Sequence, residues 1–125
     1  MKPIRHAGFY WRYDASADVL HVSLDPAIPA YGEALKNFAG VVVVMHGFED
    51  DNVVGLRIIG AKRNGLREIK LLVDKERRAI GAFQVSGDSP GWKPDEGTEH
   101  YAKDLAEVER ILENTPPDAA LDLAR

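Results

Sequence analysis

The sequence predicts an α+β fold: an antiparallel β-meander of about six strands, built as stacked hairpins, with one C-terminal amphipathic helix packed on the sheet. Three observations predict it. Short apolar segments of alternating polarity are separated by turns rich in Asp, Gly and Pro. The run Val41–Met45 is apolar on both faces, as in a central strand. A helical periodicity enters near the C-terminus, from Thr98 onward.

Phe9–Tyr13 reads as the first strand, with Phe9, Trp11 and Tyr13 on one face because side chains alternate along an extended chain. Asp14–Asp18 supplies the turn, and Val19–Leu24 returns with Leu20, Val22 and Leu24 together. Pro26 and Pro29 then interrupt pairing, since proline lacks the ladder donor. A short extended piece is possible around Glu33–Phe38. After Gly40 comes Val41–Met45, then an acidic turn over Gly47–Asn52, then Val53–Ile59 with Val54, Leu56 and Ile58 on one face. Leu71–Asp74, Lys75–Arg78 and Ala79–Val85 repeat this design as a second hairpin, Gly81 falling on Gly55. A glycine inside a strand marks a bulge or the close approach of another backbone. Beyond a Pro- and Gly-rich stretch, Thr98 suits a helix N-cap, and Tyr101, Leu105, Val108, Ile111 and Leu112 line one helical face that Pro116–Pro117 ends. The 125 residues are accordingly assigned to one domain, 1–125, with a β-sheet region over 9–87, a loop over 88–97, a helix over 98–114 and a tail over 115–125.

The elements Tyr13-Asp14, Ala17-Asp18-Val19-Leu20, Gly40-Val41-Val42-Val43, Glu49-Asp50-Asp51 and Val53–Ala61 resemble an uncharacterised prokaryotic family, domain of unknown function 2283, over about residues 13–62. The resemblance implies a β-meander unit and no reaction. Met45 and His46 stand where that family commonly has an aspartate after its valine run.

Composition excludes several chemistries. There is no cysteine, so disulfides, thiolate nucleophiles and cysteine zinc sites are ruled out. The N-terminus has no apolar run behind its basic residues, and no apolar stretch approaches the ~20 residues of a membrane helix, so a cytoplasmic protein without membrane contact is expected. No phosphate-binding glycine loop, HExxH pair or nucleophile elbow occurs, and no cofactor is expected.

Charge is unevenly spread: residues 62–87 carry 7 basic and 3 acidic side chains, residues 88–125 carry 4 and 10, and the net charge is −4. The basic residues Lys62, Arg63, Arg67, Lys70, Lys75, Arg77 and Arg78 are the nucleic-acid candidates, in an antitoxin-like or regulatory protein. No aromatic residue lies among them to stack on bases and the overall charge is negative, so a solvated turn is the default reading of this segment. His21 and His46 can meet if their strands are neighbours, and with Asp18 they are the metal-ligand candidates of a small metal-dependent hydrolase. Asp14 and Asp18 also sit where a tight turn wants a capping carboxylate. Val41, Val43, Met45 and the isolated Trp92 are the candidate interaction residues. One helix shelters one face of a two-sided strand, so a homo-oligomeric, non-enzymatic assembly module is the favoured expectation.

Overall fold

The computed structural model describes residues 3–86 and 96–117, with side chains over 3–80 and 99–117. Strands β1 (Ile4–His6), β2 (Phe9–Asp14), β3 (Val19–Ser23), β4 (Ala30–Ala34), β5 (Val42–Gly47) and β6 (Val53–Ile59) form one six-stranded antiparallel sheet. Helices α1 (Ala61–Asn64), α2 (Leu66–Ser86) and α3 (Glu96–Glu113) follow it, α2 against α3 and α3 against β6. The fold is α+β, with the C-terminal helix on the sheet as the sequence predicts.

The strand order is β1-β2-β3-β6-β5-β4, so this is not a strict meander. Two up-and-down runs, β1–β3 and β4–β6, join where β6 pairs with β3. All six strands lie before residue 60, and the hairpin expected over Leu71–Val85 is instead most of α2. Strong helix formers fill this segment, and Leu66, Ile69 and Val73 are spaced three and four apart, bringing all three into the core. Leu71 and Leu72, which read as strand, are more than half exposed on the outer side of that helix. Lys75–Arg78 is one solvated helical turn rather than a hairpin turn. Thr98 is not the N-cap expected of it, because α3 is already under way at Glu96; residues 96–97 of the expected loop are helical and 88–95 lie outside the described residues.

Alternation along the strands separates two faces. Phe9, Trp11 and Tyr13 of β2, Leu20 and Val22 of β3, Val42 and Val44 of β5, and Leu56 and Ile58 of β6 are buried against the helices. They meet Ile69 and Val73 of α2 and Leu105, Val108, Ile111 and Leu112 of α3 in one core. The polar tips of its aromatic residues are satisfied: Trp11 Nε1 donates to the His6 carbonyl at 2.9 Å and Tyr13 OH to Asp18 Oδ1 at 2.7 Å. Leu24 lies past the end of β3 and is half exposed rather than continuing the buried face.

Gly55 is needed for contact rather than for freedom. A Cβ there would collide with the Val22 carbonyl oxygen of β3, which is the close backbone approach its place in a strand suggests. Asp18 has a different structural task. Its carboxylate accepts from the backbone N–H of Lys62 at 2.8 Å and of Arg63 at 3.0 Å, tying the β2–β3 turn to the start of α1. Burial alone would raise the Asp18 carboxyl, but these donors and the Tyr13 hydroxyl outweigh it and hold it below the ordinary aspartate value.

Gly55→Ala is expected to lower the unfolding free energy by about 3 kcal/mol, read from urea denaturation, since backbone rather than a flexible side chain must yield. Because the folded state releases the Asp18 proton more readily than the unfolded one, its stabilisation is present at neutral pH. It is lost as pH falls below the ordinary aspartate range through the depressed folded value. Asp18→Asn is therefore expected to cost about 1–2 kcal/mol at pH 7, and the gap from the parent protein should close toward pH 3.

Candidate metal centre

β5 brings His46 to the helix side of the sheet, in line with Val42 and Val44, where it is 1% exposed. The irregularity between Met45 and His46 lies next to it; such bulges re-aim side chains beside functional sites. On the neighbouring β4, Tyr31 pairs with His46 and Glu33 with Val44, so Tyr31 and Glu33 reach the same side. From above, α3 presents His100 and Asp104, one helical turn apart. Asp104 sits in the buried stripe of α3 with Leu105 and Val108 and is 3% exposed.

These four side chains converge. The ligand atoms of Glu33, His46, His100 and Asp104 all lie within 4.8 Å of one another, the one such group among the described residues. His46 Nε2 is 3.3 Å from Asp104 Oδ2, His100 Nε2 is 3.2 Å from the same oxygen, and His100 Nε2 is 3.1 Å from Glu33 Oε1. A tetrahedral ion with arms of about 2.1 Å has edges of about 3.4 Å, close to these three separations.

The proton inventory of His46 sharpens the point. Its Nδ1 lies 2.9 Å from the Asp51 carbonyl, which can only accept, so Nδ1 carries the hydrogen. In the neutral ring Nε2 is then a lone pair, directed at a carboxylate oxygen. Despite the 3.3 Å approach no well-aligned hydrogen bond forms, and Nε2 is a buried polar atom without a hydrogen-bond partner. A histidine fixed through its other nitrogen by a backbone carbonyl is the usual outer support of a metal ligand. Tyr31 stacks on the same ring at 5.5 Å, and His100 stacks at 5.6 Å. The Tyr31 hydroxyl donates to Asp51 Oδ1 at 2.7 Å, a bond that pushes its own pKa up to about 12 and steadies the turn holding the Asp51 carbonyl. Burial raises the Asp104 carboxyl above the ordinary aspartate value even with two imidazoles beside it.

Two nitrogens and two carboxylates suit zinc, manganese, iron(II) or cobalt(II) better than calcium or magnesium, which prefer all-oxygen sets. His100 and Glu33 are about half exposed, so one side of the cluster is open. It borders a cleft of about 260 Å³ lined by Glu33, Leu35, Lys36, His100, Tyr101 and Asp104. An ion held there would keep a position for water, and lowering the pKa of that water is the chemistry such sites supply.

Of the sequence candidates, His46 alone belongs to this group. His21 pairs with Arg57 and projects from the other face of the sheet, and Asp18 caps α1, so the expected trio does not assemble: strand alternation puts His21 and His46 on opposite sides. Val43 and Met45 are half-buried on the face away from the helices, whereas Val41 packs partly against the core, and Trp92 lies outside the described residues. Lys62 and Arg63 lie on α1 and the other five cations on α2, where Arg78 pairs with Asp74 at 3.1 Å and Arg77 with Glu109 of α3 at 3.4 Å. Glu33, His100 and Asp104 escaped the sequence reading; the i, i+4 pair His100–Asp104 was the available signal. No helix among the described residues is long and apolar enough to cross a membrane. No protein-family model matches the chain, and no curated protein or solved structure is similar to it.

Proposed function

We propose that this protein binds one divalent transition-metal ion per chain through Glu33, His46, His100 and Asp104. The observation that carries the reading is the buried His46 Nε2, which faces three potential ligands without a hydrogen-bond partner. Burying such an atom costs free energy unless something binds it, and a cation also offsets the cost of the buried Asp104 carboxylate. The open cleft beside the cluster favours a centre that presents bound water over a closed structural one. Titration of untagged, chelator-treated protein with zinc and with manganese should show one site by calorimetry. His46→Gln and Asp104→Asn should each weaken it at least 100-fold while leaving the circular dichroism spectrum unchanged. Protein that retains neither ion after dialysis would sink the reading.

A second reading, self-association as an assembly module, is favoured by a separate observation: Val19, Val43, Met45 and Ile59 are half-buried on a sheet face that neither α2 nor α3 covers. Light scattering should then give the mass of two or more chains, and Val43→Glu should reduce it to one. A single-chain mass at every concentration would end that reading.

A further inference from the structure

The face of the sheet away from the metal cluster carries an arrangement of its own. Strand register places Arg12 of β2 beside His21 of β3, and His21 beside Arg57 of β6, in one lateral row. The next row runs from Arg5 through Tyr10, Ser23 and Gly55 to Met45. Arg12 and Arg57 thus stand on either side of the His21 imidazole, two strands apart on one face of the sheet. Among the described residues neither Arg12 nor Arg57 forms an ion pair with a carboxylate. Arg5 lies over the Tyr10 ring at 5.4 Å and adds a third guanidinium at the margin.

Tyr10, Arg12, His21, Ser23, Met45 and Arg57 of these rows line a cleft of about 360 Å³, within the range of small-molecule sites. In the second row Gly55 lets the backbone of β3 close in, the Val22 carbonyl standing where a Cβ would be, so the floor of the cleft there is backbone. Ile28, Met45 and Val54 give the same cleft an apolar part of its lining. One carboxylate, Asp25, lies on the rim, and its Oδ1 is already engaged by the Ala27 N–H at 2.9 Å.

We propose that this cleft binds a small molecule bearing a phosphate group on an apolar body, the phosphate against Arg12, His21 and Arg57 and the body against Ile28, Met45 and Val54. Two planar guanidiniums, an imidazole and the Ser23 hydroxyl offer more donors than one carboxylate can accept, whereas a phosphate dianion has three terminal oxygens for them. His21 serves as a reporter. Partial burial and the charges of Arg12 and Arg57 depress its pKa, Asp14 opposing them, so an anion set among these groups raises it.

The probe is phenyl phosphate, titrated by calorimetry and by NMR of the His21 ring, with chelator present so that the metal cluster is not read. One molecule should bind per chain, His21 should titrate at higher pH in the complex, and Arg12→Gln and Arg57→Gln should each weaken binding at least tenfold. Inorganic phosphate should bind more weakly and phenol not at all. His46→Gln, on the opposite face, should leave the affinity unchanged, which keeps this result separate from that of the metal titration. Absence of binding at millimolar phenyl phosphate, equal affinity in the arginine variants, or benzoate binding as tightly as phenyl phosphate would overturn the proposal.

Discussion

Strand alternation through β5 and β6 governs everything else in this molecule. Successive residues must point to opposite sides, so a single strand sends Val42, Val44 and His46 toward the helices and Val43 and Met45 toward water. The same parity on β6 buries Leu56 and Ile58 and exposes Arg57. A shift of one residue in this pairing would exchange the two sets, drawing an arginine inward and turning an isoleucine out. The packing of Ile58 and Leu56 under α3 thus fixes where the polar groups of both faces end up.

That constraint gives the two faces different chemistries. On the helix side, His46 of β5 and Asp104 of α3 are buried in a layer otherwise filled by Leu105, Val108 and Ile111, with Tyr31 and the half-exposed Glu33 of β4 on the same side. Buried in such a layer, a carboxylate and an imidazole that do not hydrogen-bond each other well are costly, unlike the fully engaged Asp18 at the corner. On the other side the positively charged groups stay in contact with solvent, and their repulsion is moderated by water rather than by partners.

Strands β2, β3, β5 and β6 were legible because their signals are local, whereas the short edge strand β1 left no such signal and β4 lies at Ala30–Ala34, ahead of the extended piece expected around Glu33–Phe38. The aromatic alternation of Phe9, Trp11 and Tyr13, the turn at Asp14–Asp18 and the valine run at β5 each declare a strand without reference to anything distant. The segment after Gly65 misled because Leu71-Leu72-Val73 is a short apolar run, and such a run suits a strand and a helix equally. The spacing of Leu66, Ile69 and Val73 settles it, but only when read across the whole stretch. The candidate site was half legible. Asp104 falls on the apolar stripe between Tyr101 and Leu105, and an acidic residue at that place in a core-facing helix is a sign in itself. That Glu33 and His46 would be the residues meeting it depended on the register of β4 against β5, which no local pattern declares.

The location of the cluster has a mechanical consequence. Glu33 and His100 stand 67 positions apart along the chain, yet one ion would grip both, with His46 and Asp104 alongside. Such a clasp joins the sheet to its covering helix in the way a covalent staple joins distant segments, in a chain that has no cysteine to make one. The lid over the hydrophobic interior would then be fastened by coordination, and its grip would follow the supply of the ion.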